Sequence, residues 1–182
     1  MAKKKLLLWV DLEMSGLDEK TDKILELAAI ITDYEFNEIA QKHFVVYQPD
    51  TVLDTMNEWC KEHHGKSGLT DLVKTGTPLE TVQTEMTDFV KEHFGGKQGK
   101  DGAVLAGNSI HNDRRFIDAQ MPELAKVLNY RMIDVSSFKE VFRERYQIKY
   151  EKKNVHRAIG DIQESIAELK HYLSFVKAPI AH

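Results

Sequence analysis

The sequence has a single cysteine, Cys60, among its 182 residues. Because one cysteine cannot form a disulfide within the chain, a disulfide-stabilised scaffold is excluded and a reducing cytoplasm is compatible. Long hydrophobic runs are also missing. The apolar stretch at residues 6–10 follows a basic MAKKK start but is too short for a signal peptide, and no later run has the length of a membrane span. We therefore expect a cytoplasmic protein with no membrane segment.

The chain also has no excess of positive charge, since its formal net charge is -4. The chain lacks the broad basic surface that binding a long nucleic acid normally requires, although a partner with few charges, or one bound through metal ions, stays compatible. Hydrophobic residues make up 42% of the chain and charged residues 30%. These values predict one globular domain over residues 1–182, with a core from about residue 6 to residue 176.

The most informative stretch is residues 6–18, LLLWVDLEMSGLD. Its apolar start predicts a buried strand, and alternation along that strand places Asp11 and Glu13 on one face. Two carboxylates there would repel each other and lose several kcal/mol of hydration, so we expect a divalent cation between them. Oxygen ligands favour Mg²⁺ or Mn²⁺, and Gly16 would allow a close approach. The alternative is a strand end whose two acids point into solvent.

The rest of the chain predicts a mixed α/β sheet of five strands flanked by helices. Two further strands, at residues 24–32 and 36–46, should form an antiparallel meander with the first, and short strands are expected at residues 103–107 and 131–134. Helices fill the intervals. We expect Thr77 to cap one helix, Ser136 or Ser137 to cap another, and a last helix to extend from about residue 156 to residue 176.

Chemically reactive residues concentrate at three separate places in the sequence. Asp11 and Glu13 end the first strand, Asp113 lies near the start of a helix, and HRAIGD contributes His156 and Asp161 near the start of the last helix. Regular helix geometry separates residues five apart by about 140°, so His156 shares a site with Asp161 only at or before the first turn. Four acids and a histidine fit a two-metal site for phosphoryl transfer, in which the histidine deprotonates the water.

Four motifs in order, WVDLEMSGLD, GNSIHNDRRF, RMIDVSSFKE and HRAIGDIQESIAEL, resemble those of the oligoribonucleases. These enzymes belong to the DEDDh group of 3′-to-5′ exonucleases and have an RNase H-like fold. The resemblance extends from about residue 8 to residue 176. It implies that two divalent cations, Mg²⁺ or Mn²⁺, bind a set of four acids, and that His156 is the general base. The four acids are Asp11, Glu13, Asp113 and Asp161.

The same resemblance implies contacts with the bases of a substrate. Leu17 matches the leucine that wedges between two bases, whereas Trp59 and His64 match residues that pack against the nucleotide. From the sequence alone, Trp59 fits a core position on its helix equally well.

The resemblance also implies a cap on the substrate's 5′ phosphate, formed by Ser109, Arg131 and Ser136. Tyr130 matches a tyrosine that the second protomer of a homodimer contributes. Three of these four residues also have a simpler interpretation. Arg131 could form an ordinary surface ion pair, Ser136 could cap a helix, and Tyr130 could pack within its own chain.

Several positions depart from the family pattern. Ser15 stands where threonine is common, and His111 and Asn112 replace a Gly-Gln pair before the third acid, which places bulk and a titratable group near the site. Residues 150–155 are more basic than expected and could alter the position of His156. None of these changes removes a predicted ligand.

The resemblance implies an enzyme that hydrolyses single-stranded RNA of two to five nucleotides, especially dinucleotides, to nucleoside 5′-monophosphates. One alternative is a DEDDh exonuclease that acts on DNA 3′ ends. The other is a non-catalytic nucleotide-binding module with the same fold. Retention of four acids and the histidine disfavours this module, because binding alone does not need a buried acid cluster.

Overall fold

The computed structural model describes residues 5–151 and 157–177. Within these residues, one sheet contains five strands in the order β3-β2-β1-β4-β5. β1 pairs with β2 and β2 with β3 in antiparallel fashion, whereas β4 is parallel to both β1 and β5. The predicted mixed five-stranded sheet is confirmed. The strands are β1 (Leu6–Met14), β2 (Ile24–Asp33), β3 (Glu38–Val45), β4 (Ala103–Gly107) and β5 (Leu128–Asp134).

Helices flank this sheet; they lie between β3 and β4, between β4 and β5, and after β5. In the described ranges, no helix is long and apolar enough to span a lipid bilayer. Short 3₁₀ turns lie at Val73–Thr75 and Gly99–Asp101. The helices are α1 (Asp50–Thr55), α2 (Glu58–Lys66), α3 (Leu69–Leu72), α4 (Leu79–Phe94), α5 (His111–Gln120), α6 (Pro122–Lys126), α7 (Val135–Tyr146) and α8 (Ala158–Leu173).

Alternation along β1 decides which helices cover each face of the sheet. Leu8, Val10 and Leu12 belong to a core cluster that includes apolar residues of α4, α5 and α6. Leu7 and Trp9 point to the opposite face, where they join apolar residues of α7 and α8. Asp11 and Glu13 continue this second series. The strand therefore directs both acids toward the face that α8 covers.

Two predicted helix caps are wrong. The N-cap residue of α4 is Pro78, whose side chain cannot accept a hydrogen bond, and Thr77 lies one residue earlier, where its backbone forms a parallel bridge with Val46. The cap of α7 is Asp134 rather than a serine, since β5 leads directly into the helix and the Asp134 carboxylate accepts a hydrogen bond from the Ser136 amide. The last helix begins at Ala158 and ends at Leu173.

Gly107, the last residue of β4, permits a close approach between β4 and β1. An added Cβ there would lie 2.9 Å from the Val10 carbonyl oxygen, which is tighter than real Cβ contacts allow. We expect Gly107→Ala to lower the free energy of unfolding by about 1–3 kcal/mol in urea titrations, because the strands must separate.

Gly65→Ala is the matched control for this substitution. Gly65 lies within α2, and nothing within 4 Å would meet its added Cβ. The helix should therefore gain about 0.5–1 kcal/mol. Equal stability of the Gly107→Ala variant and the parent would contradict the close strand packing.

Candidate active site

Three carboxylates meet where the end of β1 faces the first turns of α8. Oxygen atoms of Asp11, Glu13 and Asp161 all lie within 4.8 Å of one another, and the three residues are half-buried. β1 directs Asp11 and Glu13 toward this face, and α8 brings in Asp161 from its first turn. Three carboxylate oxygens at this spacing could hold a divalent cation such as Mg²⁺ or Mn²⁺.

Glu13 shows the electrostatic consequence of this crowding. Burial, together with the charges of Asp161, Glu26 and Asp113, raises the pKa of Glu13 to about 8, while Arg157 acts in the opposite direction. Without a cation, Glu13 therefore keeps its proton at neutral pH. A bound cation would favour the ionised carboxylate instead, so this donor set is suited to a divalent metal.

Asp113, the fourth predicted acid, is buried in the first turn of α5. Its Oδ1 accepts a hydrogen bond of 2.8 Å from the backbone amide of Leu12, which lies between Asp11 and Glu13. Burial raises the pKa of Asp113 to about 7, although this hydrogen bond acts in the opposite direction. Asp113 thus fastens α5 to the strand end beside the three-carboxylate group.

A cleft of about 390 Å³ opens next to Glu13. Leu17 and Trp59 lie along it and are 69% and 65% exposed, which is unusual for large apolar side chains. His64 is buried in its wall, where its Nε2 lies 2.9 Å from the Met14 carbonyl oxygen and its Nδ1 lies 3.9 Å from the Glu13 carboxylate. Burial lowers the pKa of His64, which favours a neutral ring that donates to Met14.

The loop that presents Leu17 is fastened at several points. The Asp22 carboxylate accepts hydrogen bonds from the Ser15 hydroxyl at 3.1 Å and the Asp18 amide at 3.0 Å. From α5, the Arg115 guanidinium donates to the Leu17 carbonyl oxygen at 3.2 Å. The exposed Leu17 side chain therefore stands on a backbone held from two directions.

Ser109 and Ser136 meet at the ends of β4 and β5. Their hydroxyl oxygens are 3.2 Å apart, and the Ser109 amide donates to Asp134 Oδ1 at 2.9 Å and to Ser136 Oγ at 3.0 Å. Ser109 adopts a left-handed φ of 49°, which these bonds maintain. His111 is exposed, with Nδ1 3.5 Å from Asp134 Oδ2. This departure from the family pattern thus lies beside the serine pair.

Tyr130 and Arg131 are adjacent and exposed on β5, an edge strand of the sheet. The Arg131 guanidinium lies 5.3 Å from the centre of the Tyr130 ring. Within the described ranges, no hydrogen bond joins either residue to Ser109 or Ser136. His156 lies outside the described residues, whereas Arg157 is the first residue described after it.

Two residues near the acids were missed in the sequence. Glu26 is fully buried opposite Glu13 in the β1–β2 register, and Asp134 holds Ser109 and caps α7. A signal for Glu26 was present, since a charged residue inside the apolar run ILELAAIIT requires a buried partner. Asp134 also had a signal, since aspartate is a preferred helix cap, but the two serines that follow it are preferred caps as well.

Comparison with known sequences gives matches over most of the chain. A family model described as exonuclease matches residues 8–169. The human mitochondrial oligoribonuclease is 47% identical over 173 residues, which cover 91% of this chain and 71% of the human protein. An oligoribonuclease of Thiobacillus denitrificans is 42% identical over 178 residues, which cover 94% of this chain and 96% of the bacterial protein.

Solved structures give a more distant likeness. E. coli exonuclease I in complex with a dT13 oligonucleotide has a TM-score of 0.66 at 14% identity, covering 94% of this chain and 41% of that protein. Exonuclease I from Methylocaldum szegediense has a TM-score of 0.65 at 16% identity. The match covers 95% of this chain and 41% of that protein. This chain thus spans about two fifths of those proteins. The likeness shows the fold and confirms the predicted RNase H-like architecture.

The raised pKa values generate a prediction about stability. A raised carboxyl pKa stabilises the folded state fully below the ordinary pKa, which is 4.5 for Glu13 and 3.8 for Asp113. This contribution is lost as the pH rises through the raised pKa, which is about 8 for Glu13 and about 7 for Asp113. Metal-free protein should therefore lose thermal stability across this range. The stabilisation by Mg²⁺ or Mn²⁺ should grow with pH, because cations favour ionised ligands.

Thermal melts in EDTA and in each metal, from below pH 4.5 to above pH 8, test this expectation. Glu13→Gln is the control, because an amide does not titrate and the pH dependence should become shallower. A metal-induced shift in Tm that is the same at both ends of the range in the parent protein would contradict the assignment.

Proposed function

Because this chain belongs to the exonuclease family, and within it to the oligoribonucleases, we propose that it is a metal-dependent 3′-to-5′ exoribonuclease that hydrolyses short RNA to nucleoside 5′-monophosphates. The resemblance deduced from the four sequence motifs is confirmed. One observation carries the proposal: Glu13, which belongs to the group of Asp11, Glu13 and Asp161, also lines a cleft flanked by exposed Leu17 and Trp59. The cleft thus offers apolar contacts beside a candidate metal site.

Single-stranded RNA of two to five nucleotides, and dinucleotides in particular, is the proposed substrate. The cleft measures about 390 Å³, which suits a ligand of few residues, and the net charge of -4 does not favour a long polyanion. The human and bacterial relatives are named oligoribonucleases, which supports this substrate class. DNA 3′ ends are the alternative substrate.

We also propose a cytoplasmic location, although the human relative is named mitochondrial.

For the chemical step, we assign two divalent cations, Mg²⁺ or Mn²⁺, to Asp11, Glu13, Asp161 and the adjacent Asp113. When bound, such cations stabilise the attacking and leaving oxygens of the phosphodiester. The carboxylates hold the site and supply its negative charge. His156, whose position lies outside the described residues, is assigned to accept the proton of the attacking water.

The proposed base contacts lie along the cleft. Leu17 inserts between the two bases, and Trp59 provides an aromatic face on which a base can stack. Exposure of both side chains supports these roles. We assign His64 to the nucleotide as well, but its burial and its contact with Met14 favour a role in the cleft wall that holds the end of β1.

The proposed phosphate cap consists of Ser109, Ser136 and Arg131. The paired serine hydroxyls offer hydrogen bonds, and the exposed Arg131 guanidinium can bind a phosphate. Tyr130 is 64% exposed on an edge strand, a position that supports contact with the second subunit of a homodimer.

Turnover of 5′-labelled oligoribonucleotides of graded length, with matching DNA oligonucleotides, tests the proposed function. In Mg²⁺ or Mn²⁺ the dinucleotide should be cleaved with the highest kcat/KM. Asp161→Asn should lower kcat by about a thousandfold, roughly 4 kcal/mol, because it changes the charge of the metal site. Asp71→Asn, on the exposed surface of α3, is the matched control and should retain full activity. Equal turnover of RNA and DNA, or of dinucleotides and heptamers, would contradict the proposal.

A complementation experiment tests whether Tyr130 acts across a dimer. Asp161→Asn and Tyr130→Ala chains, carrying different tags, are co-expressed and mixed dimers are isolated. One site of each mixed dimer then combines an intact acid group with the partner's intact tyrosine, so activity should reach about half that of the parent dimer. Mixed dimers no more active than either mutant homodimer, or a fully active monomer in sedimentation, would contradict the shared site.

A further inference from the structure

Glu26 lies where an unpaired carboxylate would be strongly unfavourable. Every residue of β2 is buried, and Glu26 is fully enclosed. It stands directly opposite Glu13 in the antiparallel register, so two acids face the same side of the sheet as neighbours. Like charges in this arrangement destabilise a sheet, and burial increases the penalty. The carboxylate therefore requires a cation.

Arg157 provides this cation. Its Nε and Nη2 donate to Glu26 Oε1 at 3.0 Å and 2.8 Å, and His43 Nε2 lies 2.6 Å from the same oxygen. The second oxygen, Glu26 Oε2, is buried without a hydrogen-bond partner among the described residues. The polar contacts of Glu26 therefore converge on one oxygen, and the guanidinium supplies two of the three.

The same arginine begins α8. Arg157 is its N-cap residue, and its backbone carbonyl accepts a hydrogen bond of 3.0 Å from the amide of Asp161. Its side chain therefore fastens the start of the helix to β2, while its backbone fastens Asp161 to that start. Arg157 also directly follows His156 in the sequence.

We propose that Glu26 and Arg157 are positioning residues for the metal site, and that their ion pair sets where Asp161 stands against Asp11 and Glu13. This inference rests on the proposed function, because it assumes that the three acids bind the cations. The apolar residues of α8, such as Ile162 and Leu169, dock the helix body independently of the pair. Loss of the pair should therefore loosen the first turn of the helix more than its body.

The test uses Arg157→Ala, Arg157→Lys and Glu26→Gln in the full chain. Mn²⁺ affinity is measured by calorimetry, kcat and KM with a 5′-phosphorylated diribonucleotide, and Tm by thermal melting. Arg157→Ala should weaken Mn²⁺ binding and lower kcat by about 10–100-fold, the usual effect of losing a residue that orients a ligand. KM should stay within about twofold, because the pair does not line the cleft, and Arg157→Lys should recover part of both losses.

Arg143→Ala is the matched control. Arg143 lies on α7, is partly exposed like Arg157, and pairs with Glu140 and Glu144 away from the acids. Its removal should change neither Mn²⁺ affinity nor kcat. A loss as large as that of Arg157→Ala would overturn the proposal, since any arginine would then have the same effect.

A double variant, Glu26→Gln with Arg157→Met, separates positioning from charge burial. This variant removes both charges of the Glu26–Arg157 pair, so Tm should recover toward the parent value while Mn²⁺ affinity and kcat stay low. Recovery of Mn²⁺ affinity together with Tm would overturn the proposal, because the pair would then act on stability alone. Failure of the parent protein to bind Mn²⁺ or to cleave RNA would instead refute the proposed function.

Discussion

Repulsion between carboxylates at one end of a buried strand is the constraint on which the rest of this site depends. Asp11, Glu13 and Asp161 stand within 4.8 Å of one another, and Asp113 and Glu26 add negative charge nearby. Three of these acids are tolerated for different local reasons. Asp113 accepts a hydrogen bond from a backbone amide, and Glu26 accepts hydrogen bonds from a guanidinium. Glu13 takes up a proton when no cation is present. The fold therefore carries local electrostatic repulsion that a bound divalent cation would relieve.

The sheet makes this crowding possible. β1 is the central strand, so its two series of side chains reach different helices, and only one series continues into the acids. On the opposite face, Leu8 and Val10 are packed against the core formed with α4, α5 and α6. This apolar packing fixes the strand, and the strand in turn fixes the direction of its carboxylates. Stability and chemistry are thus divided between the two faces of one strand.

Sequence patterns predicted the elements that depend on residues close to one another in the chain. The apolar runs of β1 and β4 are continuous in the sequence, that of β2 is interrupted only by Glu26, and the spacing of Asp11 and Glu13 fixes their common face without knowledge of the fold. Contacts between distant segments could not be deduced in this way. The bond between Ser109 and Ser136 and the pair of Glu26 with Arg157 depend on the strand register and on where a helix begins. The cap by Asp134 was missed because a strand there leads into a helix without a connecting loop.

The fastened loop around Leu17 also bears on the entropy of binding. A short ligand makes few contacts, so any segment that had to become ordered around it would use up much of the favourable free energy of association. Hydrogen bonds from Ser15 and Asp18 to Asp22, and from Arg115 to the Leu17 carbonyl, order this backbone before a ligand arrives. The leucine is therefore preorganised, and a small molecule bound against it would not lose free energy to the ordering of this loop.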